Sequence, residues 1–176
     1  MGVKFSPSVN IIRDAKKELN YIVTPNAERA ALTISDLLRK GIHTYTLIGS
    51  YGTGKSSFLW ALEQTLTNKA PLLPFKGIDG PVKFLNFVGV PQSLIEHLSE
   101  EFQVKNDFKG NQRILDSIYQ QYEKVKSKGG LLVIVIDEFG KFLEHAAQNN
   151  PERELYFIQQ LAEFVNDHNR NILLIT

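Results

Sequence analysis

Four short apolar runs punctuate the chain, and between them apolar residues recur every three or four positions. The runs are residues 44 to 48, Val82 to Val88, Leu131 to Ile136 and Ile172 to Ile175, each flanked by turn-forming residues and each the length of a strand. Helical spacing begins after Thr24-Pro25, which read as N-cap and first helical residue. Ala27, Ala30, Ala31, Ile34, Leu37 and Leu38 follow, and Gly41 supplies a stop. Further helices are expected from Ser57 to about Thr67, over 92 to 103 (burying Leu94, Ile95, Leu98 and Phe102), and over 110 to 128 (burying Ile114, Leu115, Ile118, Tyr122 and Val125). A last one spans about 152 to 167, burying Leu155, Ile158, Leu161, Ala162 and Val165. Asp14 to Asn20 has the composition of a short polar helix, and Tyr21-Ile22-Val23 that of a strand. Residues 68 to 80, with Pro71, Pro74, Gly77 and Gly80, form a loop.

Strand and helix alternate along the chain, so the fold class is α/β with a mainly parallel sheet. Leu131 to Ile136 is apolar at consecutive rather than alternate positions, the pattern of a strand covered on both faces. No internal repeat or low-complexity tract interrupts the alternation.

Composition narrows the function classes by exclusion. The 176 residues suit one domain. Twenty Lys and Arg against 19 Asp and Glu leave no global field directing the chain to nucleic acid or an acidic membrane. Lys124, Lys126 and Lys128 cluster at the end of a predicted helix, where cations complement the dipole; a nucleic-acid patch is the weaker reading. With no cysteine there are no disulfides, thiolate nucleophiles or cysteine-based zinc sites. The start, Met1 to Ser6, lacks the apolar core of a secretion signal, and Gly2 with Ser6 fits a myristoylation pattern only formally. No run is long enough to cross a bilayer. A cytoplasmic, non-membrane protein is expected.

One stretch carries specific chemistry. Gly49-Ser50-Tyr51-Gly52-Thr53-Gly54-Lys55-Ser56 follows the first strand and opens an amphipathic helix that begins with Ser57. This matches G-x-x-x-x-G-K-[ST] in the required strand–turn–helix context. Chance would give the four fixed positions in roughly one chain in a hundred of this length. The glycines allow a tight turn that points successive N–H groups at one place, and the helix start adds unsatisfied donors and a positive dipole end. Lys55 is spaced to reach β- and γ-phosphates, and the Ser56 hydroxyl to ligate Mg²⁺. The second motif is Asp137-Glu138 at the carboxyl end of the buried strand, where open α/β sheets bind ligands. Asp137 is expected in the Mg²⁺ shell, and Glu138 is placed to polarise a water attacking the γ-phosphate.

Together the two stretches resemble the Walker A and Walker B motifs, with the adjacent glutamate, of P-loop ATPases of the additional-strand class, most closely AAA+ or STAND-type. The resemblance covers about residues 20 to 176. It implies a three-layer P-loop NTPase fold with sheet order 5-1-4-3-2. Residues 1–43 would be an N-terminal segment packing on an ATPase core formed by 44–176, with strands 1 to 4 present and strand 5 and the lid lacking. The chain would then be the front part of a longer ATPase domain, its fold incomplete at the C-terminus. The resemblance also implies ATP and Mg²⁺ as cofactors. Lys55 and Glu138 would be catalytic, and Thr176 at the end of strand 4, or a residue just beyond it, would be the polar sensor. Asn86 lies near where the family places a polar partner for the glutamate; an amide satisfied by backbone competes with that reading. Tyr21 to Asn26 falls where such ATPases pack adenine, and ordinary packing is an equal alternative.

Three activities fit: ATP hydrolysis coupled to a conformational change, a nucleotide-gated switch or scaffold with little turnover, and, less well, a P-loop small-molecule kinase. A homo-oligomer supplying an arginine in trans, and a nucleic-acid or protein client, are expected partners of such ATPases; Arg153 and Arg170 match no family position. His43, His97, His145 and His168 have no metal-ligand spacing, Asp137 to Gly140 is not preceded by a kinase catalytic loop, and no N-K-x-D guanine motif occurs. Trp60 reads as core.

Overall fold

The computed structural model of the protein describes residues 9–15, 17 and 19–176. The Met1 to Ser6 pattern lies outside the described residues. Ten elements follow in chain order: α1 (Pro25–Leu38), β1 (Thr44–Tyr45), α2 (Lys55–Leu66), β2 (Val82–Val88), α3 (Leu94–Glu101), α4 (Gly110–Lys126), β3 (Leu131–Asp137), α5 (Gly140–Gln148), α6 (Pro151–Val165) and β4 (Ile172–Ile175). The strands form one sheet in the order β1-β4-β3-β2, and every neighbouring pair is parallel. This is the expected α/β class, in three layers, with the order the resemblance implies for the strands present.

β3 explains the layering. Leu131, Val133 and Val135 join α1 and α2 residues in one apolar core, while Leu132, Ile134 and Ile136 join α3, α4, α5 and α6 residues in another. Successive side chains leave opposite faces of a strand, so six consecutive buried aliphatics are what a doubly covered central strand needs. Each such side chain stabilises the fold by about 1.5–3 kcal/mol relative to exposure.

Helix entries follow from the residues that begin them. Thr24 accepts the Ala27 N–H at 3.2 Å ahead of Pro25, and Ser93 caps α3 by accepting the Glu96 N–H at 3.1 Å. That cap starts α3 later than the expected 92–103, and Phe102 falls just past its end. The start of α4 agrees with its apolar spacing, and its five expected core residues are all buried.

Four expectations are corrected. Residues 11–15 form a hydrogen-bonded turn rather than part of a helix from 14 to 20; positions 16 and 18 lie outside the described residues. Asn10 causes this, because its side-chain oxygen accepts the N–H groups of Ile12 and Arg13 in place of backbone carbonyls. Tyr21-Ile22-Val23 pairs with no strand. Tyr21 and Val23 pack against the α1/α2 core and Ile22 faces outward, so β-propensity is overridden by packing. β1 is shorter than expected at Thr44–Tyr45, although hydrogen bonds to Thr176 continue to Leu47. On α6, Leu161 and Val165 are buried as expected and Ile158 and Ala162 half-buried, but Leu155 is 54% exposed, and Glu154 and Phe157 are buried on the core side instead. Helix α5 was not anticipated at all.

Candidate functional site

Because all four strands run parallel, their carboxyl ends share one edge of the sheet. The loop 49–54 after β1, the residues after β2, Asp137-Glu138 at the end of β3, and Thr176 after β4 all emerge there. The connection leaving β1 runs to α2 on one face, while that leaving β3 runs to α5 and α6 on the other. Divergence of this kind opens a crevice at the sheet edge. β1 and β3 flank β4, so the loop and the acids stand two strand spacings, about 10 Å, apart. Thr176 sits between them: its N–H donates to Tyr45 O at 2.9 Å, and its hydroxyl pairs with that of Thr46 at 3.0 Å.

The loop is built to leave its donors available. Gly52 and Gly54 have φ of +80° and +85°, and a Cβ at either would meet no atom within 4 Å. Their left-handed backbone needs glycine, and the space above them is open. Gly54 is the N-cap of α2 and offers no side-chain acceptor, so the first N–H groups of a 12-residue helix have no cap. The loop braces itself through Thr53, whose hydroxyl donates to Ser50 O at 2.9 Å against Gly49. Lys55 Nζ donates to Gly49 O at 2.6 Å and Ser50 O at 3.0 Å, which places an ammonium along the loop. Ser56 and Ser57 follow on the first turn of α2, half-buried; Ser50 and Tyr51 are exposed.

The opposite wall is Asp137, 6% exposed, whose Oδ1 accepts the Glu138 N–H at 2.9 Å. Glu138 has φ +53°, an unusual backbone for a residue with a side chain. Its turn is pinned by Gly89, whose N–H donates to Asp137 O at 2.7 Å and whose missing side chain leaves room for the Glu138 carbonyl. The Glu138 carboxylate forms an ion pair with Lys141, the second residue of α5. That pair raises the Lys141 pKa, and Tyr51 and Asp137 lie close enough to raise it further.

Of the residues singled out in the sequence, Gly49 to Ser57 form one wall and Asp137 and Glu138 the other, with Thr176 between. Asn86 is oriented differently: its Nδ2 donates to Glu63 Oε2 on α2 at 2.8 Å, and Glu138 is partnered by Lys141 instead. Arg153 donates to Asn106 Oδ1 at 2.6 Å, and Arg170 lies over the Phe164 ring at 4.0 Å. Both are engaged away from the crevice walls just named. Gly89 and Lys141 were missed. A glycine directly after a strand was the available signal for Gly89; nothing in the pattern marked Lys141.

Beside the loop lies a groove of about 620 Å³, lined on one side by Tyr21, Ile22, Asn26 and Ala30 and on the other by Ile48 and Phe58. Among the described residues no cluster of three or more His, Cys, Asp or Glu side chains could hold a metal. A magnesium ion needs no such cage, since it keeps waters and takes one or two protein oxygens plus phosphates, and the Ser56 and Asp137 oxygens suit that role. No helix among the described residues is long and apolar enough to cross a membrane. In comparisons with known proteins, no family model and no curated protein matches the chain.

Proposed function

We propose that the protein binds ATP with Mg²⁺ in the crevice at the carboxyl edge of the sheet, and that it hydrolyses ATP to drive a conformational change. The observation that carries this reading is the open, left-handed turn at Gly52 and Gly54 before an uncapped helix, across one strand from Asp137 and Glu138. Uncapped N–H groups at a helix start, with a cation alongside, form an anion site, and phosphate is the anion whose size and charge fit.

The residues divide the work. The loop N–H groups and Lys55 bind and orient the phosphates. Ser56 and Asp137 hold the metal, which when bound offsets charge on the β- and γ-phosphate oxygens. Glu138 orients the attacking water and accepts its proton. The groove between Tyr21, Ile22 and Ala30 and the loop is the place for the base, with apolar surface for a purine face. A cytoplasmic location follows from this substrate. An arginine supplied by a second copy would complete the site, since Arg153 and Arg170 are engaged elsewhere.

A second reading, a nucleotide-gated switch with little turnover, is favoured by one observation. The Glu138 carboxylate is tied to Lys141 and is not free to polarise water. The test separates the two. Lys55→Ala is expected to abolish ATP binding, and Glu138→Gln to keep binding while losing turnover. Equal ATP binding by the parent and Lys55→Ala refutes both readings; measurable binding with negligible turnover in the parent selects the switch.

A further inference from the structure

Glu138 and Lys141 are arranged more tightly than an incidental surface pair. The Glu138 backbone is strained, with φ +53°, and its carbonyl accepts the Lys141 N–H at 3.0 Å while its carboxylate accepts the Lys141 ammonium. A Cβ on Gly89 would stand 2.1 Å from the Glu138 carbonyl oxygen, so β2 fixes this turn from below. The backbone of the acid is therefore held, and the mobile partner is the long lysine side chain.

Both side chains are accessible, 46% for Lys141 and 39% for Glu138. An exposed pair three residues apart on a helix start is weak and exchanges readily for a stronger anion. The fold shows where that anion would lie, because the 49–54 loop and the Asp137-Glu138 turn leave the same carboxyl edge of the sheet, and Lys141 follows Glu138 by three residues. The second cation, Lys55, is likewise held by protein acceptors, the carbonyls of Gly49 and Ser50.

We infer that Lys141 is a second phosphate-binding cation that reads the terminal phosphate: it rests on Glu138 without a triphosphate and transfers to the γ-phosphate when one binds, freeing Glu138 to orient water. The inference rests on the nucleotide reading above. It makes the glutamate competent only when its substrate is complete, because a diphosphate offers no group at the position that draws the lysine away. A doubly charged phosphate oxygen set holds an ammonium more strongly than a single exposed carboxylate does.

The test is calorimetric titration of the parent, Lys141→Met, Lys141→Arg and Glu138→Gln with Mg-ADP and with a non-hydrolysable Mg-ATP analogue. Lys141→Met is expected to weaken the triphosphate about tenfold and leave ADP within about twofold, the size of one charge-assisted phosphate contact. Lys141→Arg should recover most of that loss. Glu138→Gln removes the competing acceptor and should tighten the triphosphate about twofold. Lys141 is exposed, so its loss opens no core; if Lys141→Met nonetheless melts early, Lys141→Gln takes its place. Equal losses for both nucleotides, or none, overturn the inference while leaving nucleotide binding intact. A parent that binds neither nucleotide overturns the nucleotide reading and this inference with it.

Discussion

Gly89→Ala tests the link between fold and site most sharply, because the structure sets its cost. The added methyl would stand 2.1 Å from the Glu138 carbonyl oxygen, 2.8 Å from its carbon and 3.4 Å from Asp137 O. The nearest of these is about 1.3 Å inside ordinary contact, and every obstacle is backbone, which cannot rotate away. Overpacking in a fixed setting costs about 1–3 kcal/mol, and here the upper end applies. Separation of the strands would also weaken the Gly89 N–H to Asp137 O bond, worth about 1 kcal/mol net. At about 2–4 °C per kcal/mol for a chain of this size, a combined cost of about 4 kcal/mol should lower the melting temperature by roughly 8–16 °C. Gly52→Ala is the control: φ is +80° but nothing lies within 4 Å, so only backbone strain of about 1–2 kcal/mol is added. Thermal denaturation followed by circular dichroism measures both. If Gly89→Ala melts within 2–3 °C of the parent, or is no worse than Gly52→Ala, the close approach of β2 to the Glu138 turn is refuted.

Two further perturbations probe the frame. Glu154 is buried on α6 and accepts the Ser93 hydroxyl at 2.5 Å and the Leu94 N–H at 3.1 Å, tying α6 to the start of α3. Glu154→Ala leaves both donors without a partner and should cost about 3 kcal/mol in urea denaturation, with Glu154→Gln losing less; equal loss for the two variants contradicts the hydrogen-bonding account. Arg13, Lys17 and the Asn10 N–H hold the Asp14 carboxyl well below the usual carboxylate range. Native Asp14 therefore stays ionised where the unfolded chain takes up a proton, and its stabilisation is present above pH ~4 and lost as pH falls through the acid range toward the depressed value. Asp14→Asn should be less stable than the parent at neutral pH and show a flatter acid limb; parallel limbs in the two proteins rule the network out as the source.

How much of this was legible depended on how local the determinant was. The left-handed glycines, the Thr24-Pro25 start and the doubly buried β3 act within a few residues, and the pattern carried them directly. The order β1-β4-β3-β2 came only through resemblance, because strand pairing joins residues such as Thr44 and Leu174 that no local window connects. The missed α5 has just two buried apolar residues, Phe142 and Ala146 four apart, too few to stand out beside the acids before it. The outward Leu155 on α6 has a different origin: Glu154 is buried through its bonds to the Ser93 hydroxyl and the Leu94 N–H, and Phe157 joins Leu161 and Val165 on the core face. Lys141 was invisible because an exposed lysine after an acidic pair is ordinary in sequence; its meaning comes from the strained turn that sets Glu138 beside it. Asn86 shows the reverse: its strand was placed well, but its partner, Glu63, was settled by packing of α2 on that face.

Central to the account is a single crevice in which the loop after β1 and the acids after β3 hold one metal–triphosphate between them. The direct measurement is ATP affinity in the presence and absence of magnesium, for the parent and for Asp137→Asn. Magnesium is expected to tighten ATP binding by the parent severalfold, and this gain should disappear in Asp137→Asn while metal-free binding is preserved. Magnesium dependence that survives intact in Asp137→Asn would mean that Asp137 does not share the site with the loop, and would contradict the central claim.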